Sequence, residues 1–182
     1  MRNLNFPNLL TLLRLALTPL AVRAILSRQF GEALAILIIA GATDGFDGLA
    51  ARKLHAETKV GAYLDPIADK ALLSACYLAL GIAGAVPWWL VALIFGRDVL
   101  ILAMAGAALL FTAHREFPPS IWGKLSTFFQ IAAAVAVLAA GAFPAYEIPT
   151  GPFIFIAGAA TVFSGAGYVW RAVTLLGRGE PD

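Results

Sequence analysis

The sequence predicts an all-α integral membrane protein in which six transmembrane helices form one bundle and both termini lie on the cytoplasmic side. Composition is the first indication, because the chain is 60% hydrophobic and only 13% charged, with a mean hydropathy of +0.83. The second is a series of apolar runs that suit helices crossing about 30 Å of lipid. The third is the unequal distribution of Lys and Arg among the polar breaks between those runs.

The first two predicted spans cover residues 9–26 and 33–52. The second span is purely apolar only as far as Ala42, which is too short a helix to cross the bilayer. The helix must therefore continue through Asp44 and Asp47. This places both carboxylates in the last third of the span, near one membrane face.

The third span is predicted from Gly61 to about Val86, with Asp65 and Asp69 in its first turns. Pro66 is compatible with that position, because the first N–H groups of a helix have no internal partner. The two aspartate pairs thus approach the same membrane face from either side of one short loop. The remaining spans are predicted over residues 88–112, 121–143 and 153–176.

The basic residues set the predicted orientation. The face that holds the aspartates also carries Arg2, Arg52, Lys53, Lys59, Arg115 and Arg178. Only Arg28, with Arg23 near a helix end, falls on the opposite face, so the aspartate face is predicted to be cytoplasmic. The corresponding membrane is a bacterial inner membrane, or the mitochondrial inner membrane in a eukaryote.

Length, charge and cysteine content limit the other possibilities. A chain of 182 residues without an evident repeat or linker fits a single domain, residues 1–182. The net charge of +2 is too small to indicate a nucleic-acid partner. One cysteine, Cys76, excludes a disulfide within the chain.

The aspartate spacings predict a metal site. Asp44 and Asp47 are three residues apart and Asp65 and Asp69 are four apart, so each pair shares one face of its helix. Charged side chains within a span are costly and usually mark a site. Four carboxylates close together repel each other unless a cation neutralises them, and Mg²⁺ shares such oxygen ligands with substrate phosphates.

Small residues accompany these acids. Gly48, Ala51 and Arg52 fall within about 80° of Asp44 around the helix, and Gly61 falls within about 40° of Asp65. Two structural alternatives remain open. A membrane aspartate can simply bond a neighbouring helix, and Gly41 with Gly45 is also a small-xxx-small helix-packing pattern.

The motif Asp44-x-x-Asp47-Gly48-x-x-Ala51-Arg52, then eight residues, then Gly61-x-x-x-Asp65-x-x-x-Asp69, resembles the signature of the CDP-alcohol phosphotransferases. All eight defining positions match with unbroken spacing. The lead-in Pro7-Asn8-x-x-Thr11-x-x-Arg14 and the six-span plan are also similar to that family. The resemblance implies an enzyme that transfers a phosphatidyl or similar group from a CDP-linked donor to an alcohol and releases CMP.

The resemblance also implies roles for individual residues. Asp44, Asp47 and Asp65 would bind two Mg²⁺ or Mn²⁺ ions that clamp the CDP diphosphate. Asp69 would complete the metal site and act as the general base on the acceptor hydroxyl in a single displacement. The implied CDP-binding residues are Asp44, Asp47, Gly48, Ala51, Arg52, Gly61 and Asp65. A homodimer is implied as well.

The acceptor alcohol is predicted to bind basic residues outside the aspartate motif. Arg14, Arg97 and Lys124 are the candidate acceptor-binding residues, and Arg115 is a further basic residue considered for this role. Each has an alternative: a headgroup contact for Arg14, an ion pair with Asp98 for Arg97, and a solvated pair with Glu116 for Arg115. For Lys124 a binding role is preferred.

Two subfamilies fit the sequence. Arg97-Asp98-Val99 and the segment through Pro118-Pro119 to Gly123-Lys124 look like eukaryotic-type cardiolipin synthases, which transfer from CDP-diacylglycerol to phosphatidylglycerol. Phosphatidylglycerophosphate synthases, which use glycerol 3-phosphate, share the lead-in and the Gly-Lys block. They usually carry Arg-Glu and a further Leu-Arg, where this chain has Arg97-Asp98 and the neutral residues 107–110. The prediction is cardiolipin formation, with glycerol 3-phosphate as the alternative acceptor.

A small cation carrier is the alternative from another functional class. Such a protein would use the four aspartates as its ion pathway. Arg52 disfavours this reading, because an arginine beside the ligands assists a diphosphate site and does nothing for a cation pathway.

Overall fold

The computed structural model describes residues 6–54, 59–111 and 121–176, and within these residues it contains helices and turns but no strand. The six α-helices are α1 (Phe6–Leu26), α2 (Phe30–Leu54), α3 (Lys59–Ile82), α4 (Trp88–Phe111), α5 (Ile121–Ala142) and α6 (Thr150–Leu176). One 3-10 turn, Pro144–Tyr146, lies between α5 and α6. The predicted all-α class is confirmed.

The helix that carries the first aspartate pair continues as predicted. α2 runs without interruption past Asp44 and Asp47 to Leu54, although it begins at Phe30 and not at Ala33. The short apolar run is therefore the first part of one long helix. This continuity puts the two aspartates on a regular helical backbone, where their spacing determines a common face.

The explanation given above for Pro66 is wrong. α3 begins at Lys59, two residues before the predicted start, so Pro66 is the eighth residue of the helix. At that depth the helix N–H groups normally have internal partners, and proline removes the one that would bond the carbonyl of Ala62. Proline inside a helix is tolerated where neighbouring groups satisfy the freed carbonyl, as is common in membrane helices.

Two helices among the described residues are long and apolar enough to cross a membrane. They are Ile121–Ala142 and Thr150–Trp170, with mean hydropathies of 1.8 and 1.6. Large apolar side chains also lie on the outside, since Leu102 is 75% exposed and Phe155 is 70% exposed. An apolar exterior of this kind suits lipid contact. The six-span arrangement and the side of the termini stay predictions.

The described chain divides into two compact units, and α5 contributes to both. Unit 1 contains α1, α2, α3 and the second half of α5. In it, α1 packs against both α2 and α3, and the largest fully buried side chains are Tyr77, Ile25 and Leu80. A Cβ atom at Gly141 would meet the Phe30 ring, so a glycine is needed where that ring lies on α5. The single domain predicted for residues 1–182 stays a prediction.

Unit 2 contains α4, the first half of α5 and α6. Here α4 packs against α6. The Trp89 ring lies over Gly158, where an added Cβ would come within 2.6 Å of the ring, and its centroid is 5.8 Å from that of Phe155. Leu90 and Ile94 are buried on α4. These contacts hold α4 against α6, and these two helices with the first half of α5 carry the polar cluster described below.

Candidate functional site

The four predicted metal ligands lie on two helices. Asp44 and Asp47 belong to α2, and Asp65 and Asp69 belong to α3. Their side chains lie outside the part of the chain whose side chains are described, as do those of Gly48, Ala51, Arg52 and Gly61. Among the described side chains, no group of three or more His, Cys, Asp or Glu residues lies together. The assigned site residues therefore stay predictions.

The aspartate helices nevertheless suit a hard divalent cation. Helical backbone at residues 44–47 and 65–69 puts the carboxylates of each pair on one face, separated by about one turn. Four carboxylates offer only oxygen donors, which is the ligand set that Mg²⁺ takes. The donor chemistry thus fits the predicted ion.

The Arg97 side chain lies in a buried polar cluster of unit 2. It is 8% exposed, and its Nη1 donates to Asp98 Oδ1 at 2.7 Å. Its Nε and Nη2 donate to Ser164 Oγ at 3.4 and 3.2 Å. Its Nη2 also lies 3.5 Å from the carbonyl oxygen of Gly123. The ion pair with Asp98, weighed above as the alternative role for Arg97, is present.

A second buried network links α5 to α6 in the same unit. Gln130 Nε2 donates to Thr161 Oγ1 at 3.0 Å and to Ser126 Oγ at 3.2 Å. The Ser126 and Thr161 hydroxyls are 3.3 Å apart, and Thr161 donates to the carbonyl of Ala157 at 2.7 Å. Ser126, Gln130 and Thr161 are at most 2% exposed. Such bonds stabilise helix association in an apolar solvent.

The α6 residues of both networks were not predicted from the sequence. Thr161 and Ser164 are small polar residues three positions apart in a helix that is otherwise mostly apolar. That spacing places them on one face of α6, and the spacing of four residues does the same for Ser126 and Gln130 on α5. Matching polar faces on two apolar helices were the signal that could have identified them.

The other basic candidates differ in their surroundings. Lys124 is exposed in the first turn of α5. Arg14 is 2% exposed, so the alternative in which it reaches out to headgroups is wrong. Arg115 lies outside the described residues. Gly41 is exposed, and among the described residues nothing lies within 4 Å of a Cβ added there, so the described contacts give no support to a packing role for Gly41.

Comparison with known proteins identifies the class. Residues 4–173 match the sequence model of the family described as CDP-alcohol phosphatidyltransferase. The chain belongs to this family, and it is therefore a phosphatidyltransferase of phospholipid synthesis. Membership agrees with the eight-position motif on α2 and α3 and with the apolar helices.

Individual relatives fall into two named groups. The chain is 36% identical over 188 residues to a "Probable phosphatidylglycerophosphate synthase" of Mycobacterium tuberculosis, covering 95% of this chain and 84% of that protein. It is 32% identical over 152 residues to a CDP-diacylglycerol–glycerol-3-phosphate 3-phosphatidyltransferase of Aquifex aeolicus, covering 80% of each. It is 32% identical over 157 residues to the CMP-forming cardiolipin synthase of Rattus norvegicus, covering 75% of this chain and 51% of the rat protein.

Proposed function

We propose that this enzyme transfers the phosphatidyl group of CDP-diacylglycerol to the free hydroxyl of phosphatidylglycerol, giving cardiolipin and CMP. The observation that carries the choice of acceptor is the pairing of Arg97 with Asp98 at 2.7 Å. A phosphate monoester such as glycerol 3-phosphate is dianionic and binds best to several uncompensated cations. The Arg97 charge is already compensated, so the acceptor side suits the single negative charge of a phosphodiester.

The proposed donor site consists of the aspartate motif. Asp44, Asp47, Asp65 and Asp69 would hold two Mg²⁺ or Mn²⁺ ions, and such ions neutralise the diphosphate and the developing charge on CMP when they are bound. Arg52 would pair with the diphosphate. Gly48, Ala51 and Gly61 would leave space for the cytidine and its phosphates.

In the proposed reaction the acceptor hydroxyl attacks the phosphorus that bears the diacylglycerol. The bond from that phosphorus to the bridging oxygen of CMP breaks, while a new phosphorus–oxygen bond forms to the acceptor. Asp69 takes the hydroxyl proton as general base, and CMP leaves with the bond electrons. Because phosphoryl transfer depends mainly on position and charge neutralisation, the remaining residues orient the two lipids.

The proposed acceptor-binding residues are Arg14, Arg97 and Lys124. Lys124 is exposed at the start of α5 and supplies a mobile ammonium suited to a single phosphate charge. Arg97 contributes through the buried cluster, and Arg14 through its buried position on α1. The reaction would take place at the cytoplasmic face of a six-span membrane protein, which the family resemblance further implies to be a homodimer.

Glycerol 3-phosphate is the second candidate acceptor. It is favoured by the similarity to the mycobacterial protein, which extends over 95% of this chain. The similarity to the rat cardiolipin synthase extends over 75%. With that acceptor the product would be phosphatidylglycerophosphate and CMP.

The deciding experiment supplies purified full-length enzyme with CDP-diacylglycerol and one acceptor at a time. Phosphatidylglycerol should give cardiolipin, identified by mass spectrometry of the product lipid, with release of one CMP per lipid formed. Product from glycerol 3-phosphate alone would replace the first candidate with the second. Absence of CMP release with either acceptor would contradict both candidates.

Metal removal tests the donor site separately. Excess EDTA should abolish CMP release, because four ionised aspartates repel each other and the diphosphate without a cation. Adding back Mg²⁺ or Mn²⁺ beyond the chelator should restore turnover, whereas matched addition of K⁺ should not. Undiminished turnover in EDTA would contradict the metal assignment.

A further inference from the structure

Most of the hydrogen-bonding capacity of Arg97 is used inside the protein. A guanidinium carries five N–H donors. Among the described residues, Arg97 makes one bond to Asp98, two to Ser164 and one to the Gly123 carbonyl. One N–H on Nη1 is left for other partners, and bidentate binding of a phosphate needs at least two.

Ser164 is the side chain that ties this arginine to α6. It is 0% exposed, and its hydroxyl oxygen accepts hydrogen bonds from both Nε and Nη2 of Arg97. Without that oxygen, the buried guanidinium would keep donors without acceptors, which is costly in a low-dielectric interior. The side chain would then turn toward other acceptors and leave its present position.

The same guanidinium reaches the backbone of α5. Its Nη2 bonds the carbonyl of Gly123, and the next residue along the chain is the exposed Lys124. Arg97 therefore connects three helices at one point: α4 through its own backbone, α6 through Ser164 and α5 through Gly123. A shift of the guanidinium would remove this side-chain bond from the first turn of α5, where Lys124 lies, and leave the Gly123 carbonyl with partners that include Thr127 Oγ1 at 3.2 Å.

We propose that Ser164 is a positioning residue for the acceptor. Through Arg97 it fixes the backbone at Gly123, and thereby the place where the Lys124 ammonium meets the acceptor's phosphate. Ser164 itself touches no substrate. This inference rests on the proposed function, because that function gives Lys124 its ligand.

Steady-state kinetics of Ser164→Ala in mixed micelles tests the proposal. The KM for phosphatidylglycerol should rise about tenfold, which corresponds to the loss of one hydrogen bond to a charged group. The KM for CDP-diacylglycerol should stay within about twofold of the wild-type value. Ser164→Thr, which keeps the hydroxyl, should restore the acceptor KM.

Thr161→Val is the matched control. Thr161 is also a buried hydroxyl on α6, one turn before Ser164, but its bonds go to Gln130, Ser126 and Ala157 and not to Arg97. The Thr161→Val variant should lose about as much thermal stability as Ser164→Ala, but its KM for the acceptor should not rise. An equal rise in both variants would overturn the proposal, because general loosening of α6 would then account for the effect.

A double-mutant cycle with Lys124→Ala identifies the route of action. Because Ser164 acts through Lys124, Ser164→Ala should add little to the acceptor KM once Lys124 is gone. Full additivity would overturn the proposal. If Ser164→Ala does not fold, Arg97→Lys takes its place in the same cycle, since a lysine keeps the charge but lacks the fork that joins Ser164 to Gly123.

The outcomes separate this inference from the function on which it rests. A raised acceptor KM in Lys124→Ala with an unchanged one in Ser164→Ala would overturn the positioning role alone. An unchanged acceptor KM in Lys124→Ala would remove the assigned ligand of Lys124 and the positioning role with it. Failure of the wild-type enzyme to release CMP would instead overturn the proposed function.

Discussion

Two residues in unit 1 adopt left-handed backbone conformations directly after α-helices. Gly84 has φ = 72° and Arg28 has φ = 57°. Each follows a helix whose last carbonyls accept bonds from the turn: Ala85 N to Leu80 O at 2.9 Å, and Gln29 N to Ala24 O at 2.8 Å. This is the Schellman arrangement, in which the left-handed position favours glycine. Arg28 also donates to the Ala83 carbonyl at 3.1 Å, so the two turns are linked.

Gly84→Ala should lower the stability of the protein by about 1 kcal/mol, because a Cβ is disfavoured in the left-handed region. Open space around Gly84 means that the backbone, and not a clash, causes the loss. Gly96→Ala is the matched control, since Gly96 also has open space but lies within α4 and alanine favours a helix. Unfolding in detergent should separate the two variants, and equal midpoints would contradict the backbone explanation.

Asp69→Asn should abolish phosphatidyl transfer while leaving the protein folded. Asparagine has nearly the same shape but cannot accept the acceptor's proton as a carboxylate does, and general base catalysis is typically worth about 10²–10⁴ in rate. Loss of the proposed metal ligand would add to this effect. A radiolabelled CMP-release assay measures turnover, and gel filtration with thermal unfolding reports the fold. Turnover at the wild-type rate would remove Asp69 from its assigned role.

At the scale of single residues, the sequence predicted which motif residues share a helix face better than it predicted which side chains bond to each other. Spacing alone assigned Asp44 and Asp47 to one helix face, because helical periodicity is local. The contacts of Arg97 with Ser164 and Gly123 join residues that are 67 and 26 positions apart. Such pairings depend on how helices pack, and no local pattern specifies them.

Helix existence was largely predictable because every element is long and apolar. α4 ends at Phe111 and α5 begins at Ile121, each within one residue of prediction. Helix starts were less accurate: α2 and α6 each begin three residues before the predicted span. Apolar content marks the lipid-facing part of a helix, whereas its first turn can contain polar residues such as Glu32. Helical starts therefore extend beyond the apolar run.

Within unit 2, the contact between α5 and α6 depends on polar bonds. Gln130→Leu should destabilise the protein by about 0.5–1.5 kcal/mol, the range found for interhelical hydrogen bonds in membranes, because both bonds from Gln130 Nε2 disappear. Phe128→Leu is the control, as Phe128 is 64% exposed on the same helix. Unfolding in detergent should show a loss for Gln130→Leu and little change for the control. A gain in stability for Gln130→Leu would show that desolvation of the amide destabilises the protein more than its hydrogen bonds stabilise it.

At the scale of the whole molecule, the described residues have an apolar exterior as well as a mainly apolar core. The described residues place Trp170 and Phe163 outside, at 72% and 66% exposure, and keep Ser164 and Gln130 inside. Lipid favours an apolar exterior, and it requires that the few buried polar groups have partners inside the protein. Composition predicted this property, since a chain that is 60% hydrophobic has more apolar surface than a core of this size can bury.

The predicted six-span topology puts residues 144–152 and the C-terminal end on opposite sides of the membrane. Single cysteines in a Cys76→Ala background test this in the full chain, with Ala145→Cys on the predicted outer side and Arg178→Cys on the cytoplasmic side. Ala145 is exposed in the 3-10 turn, so its replacement should react freely. Cys76 is 1% exposed, and alanine should fit there with little loss.

A membrane-impermeant maleimide added to intact cells should label Ala145→Cys and leave Arg178→Cys unlabelled. Permeabilised cells should label both, which controls for intrinsic reactivity. The reverse pattern would invert the predicted orientation and place the aspartate face on the outer side of the membrane. Labelling of both in intact cells would put both positions on the outer side, so an even number of helices would cross between them. The six-span plan would then be wrong, because it places the single span of α6 between the two positions.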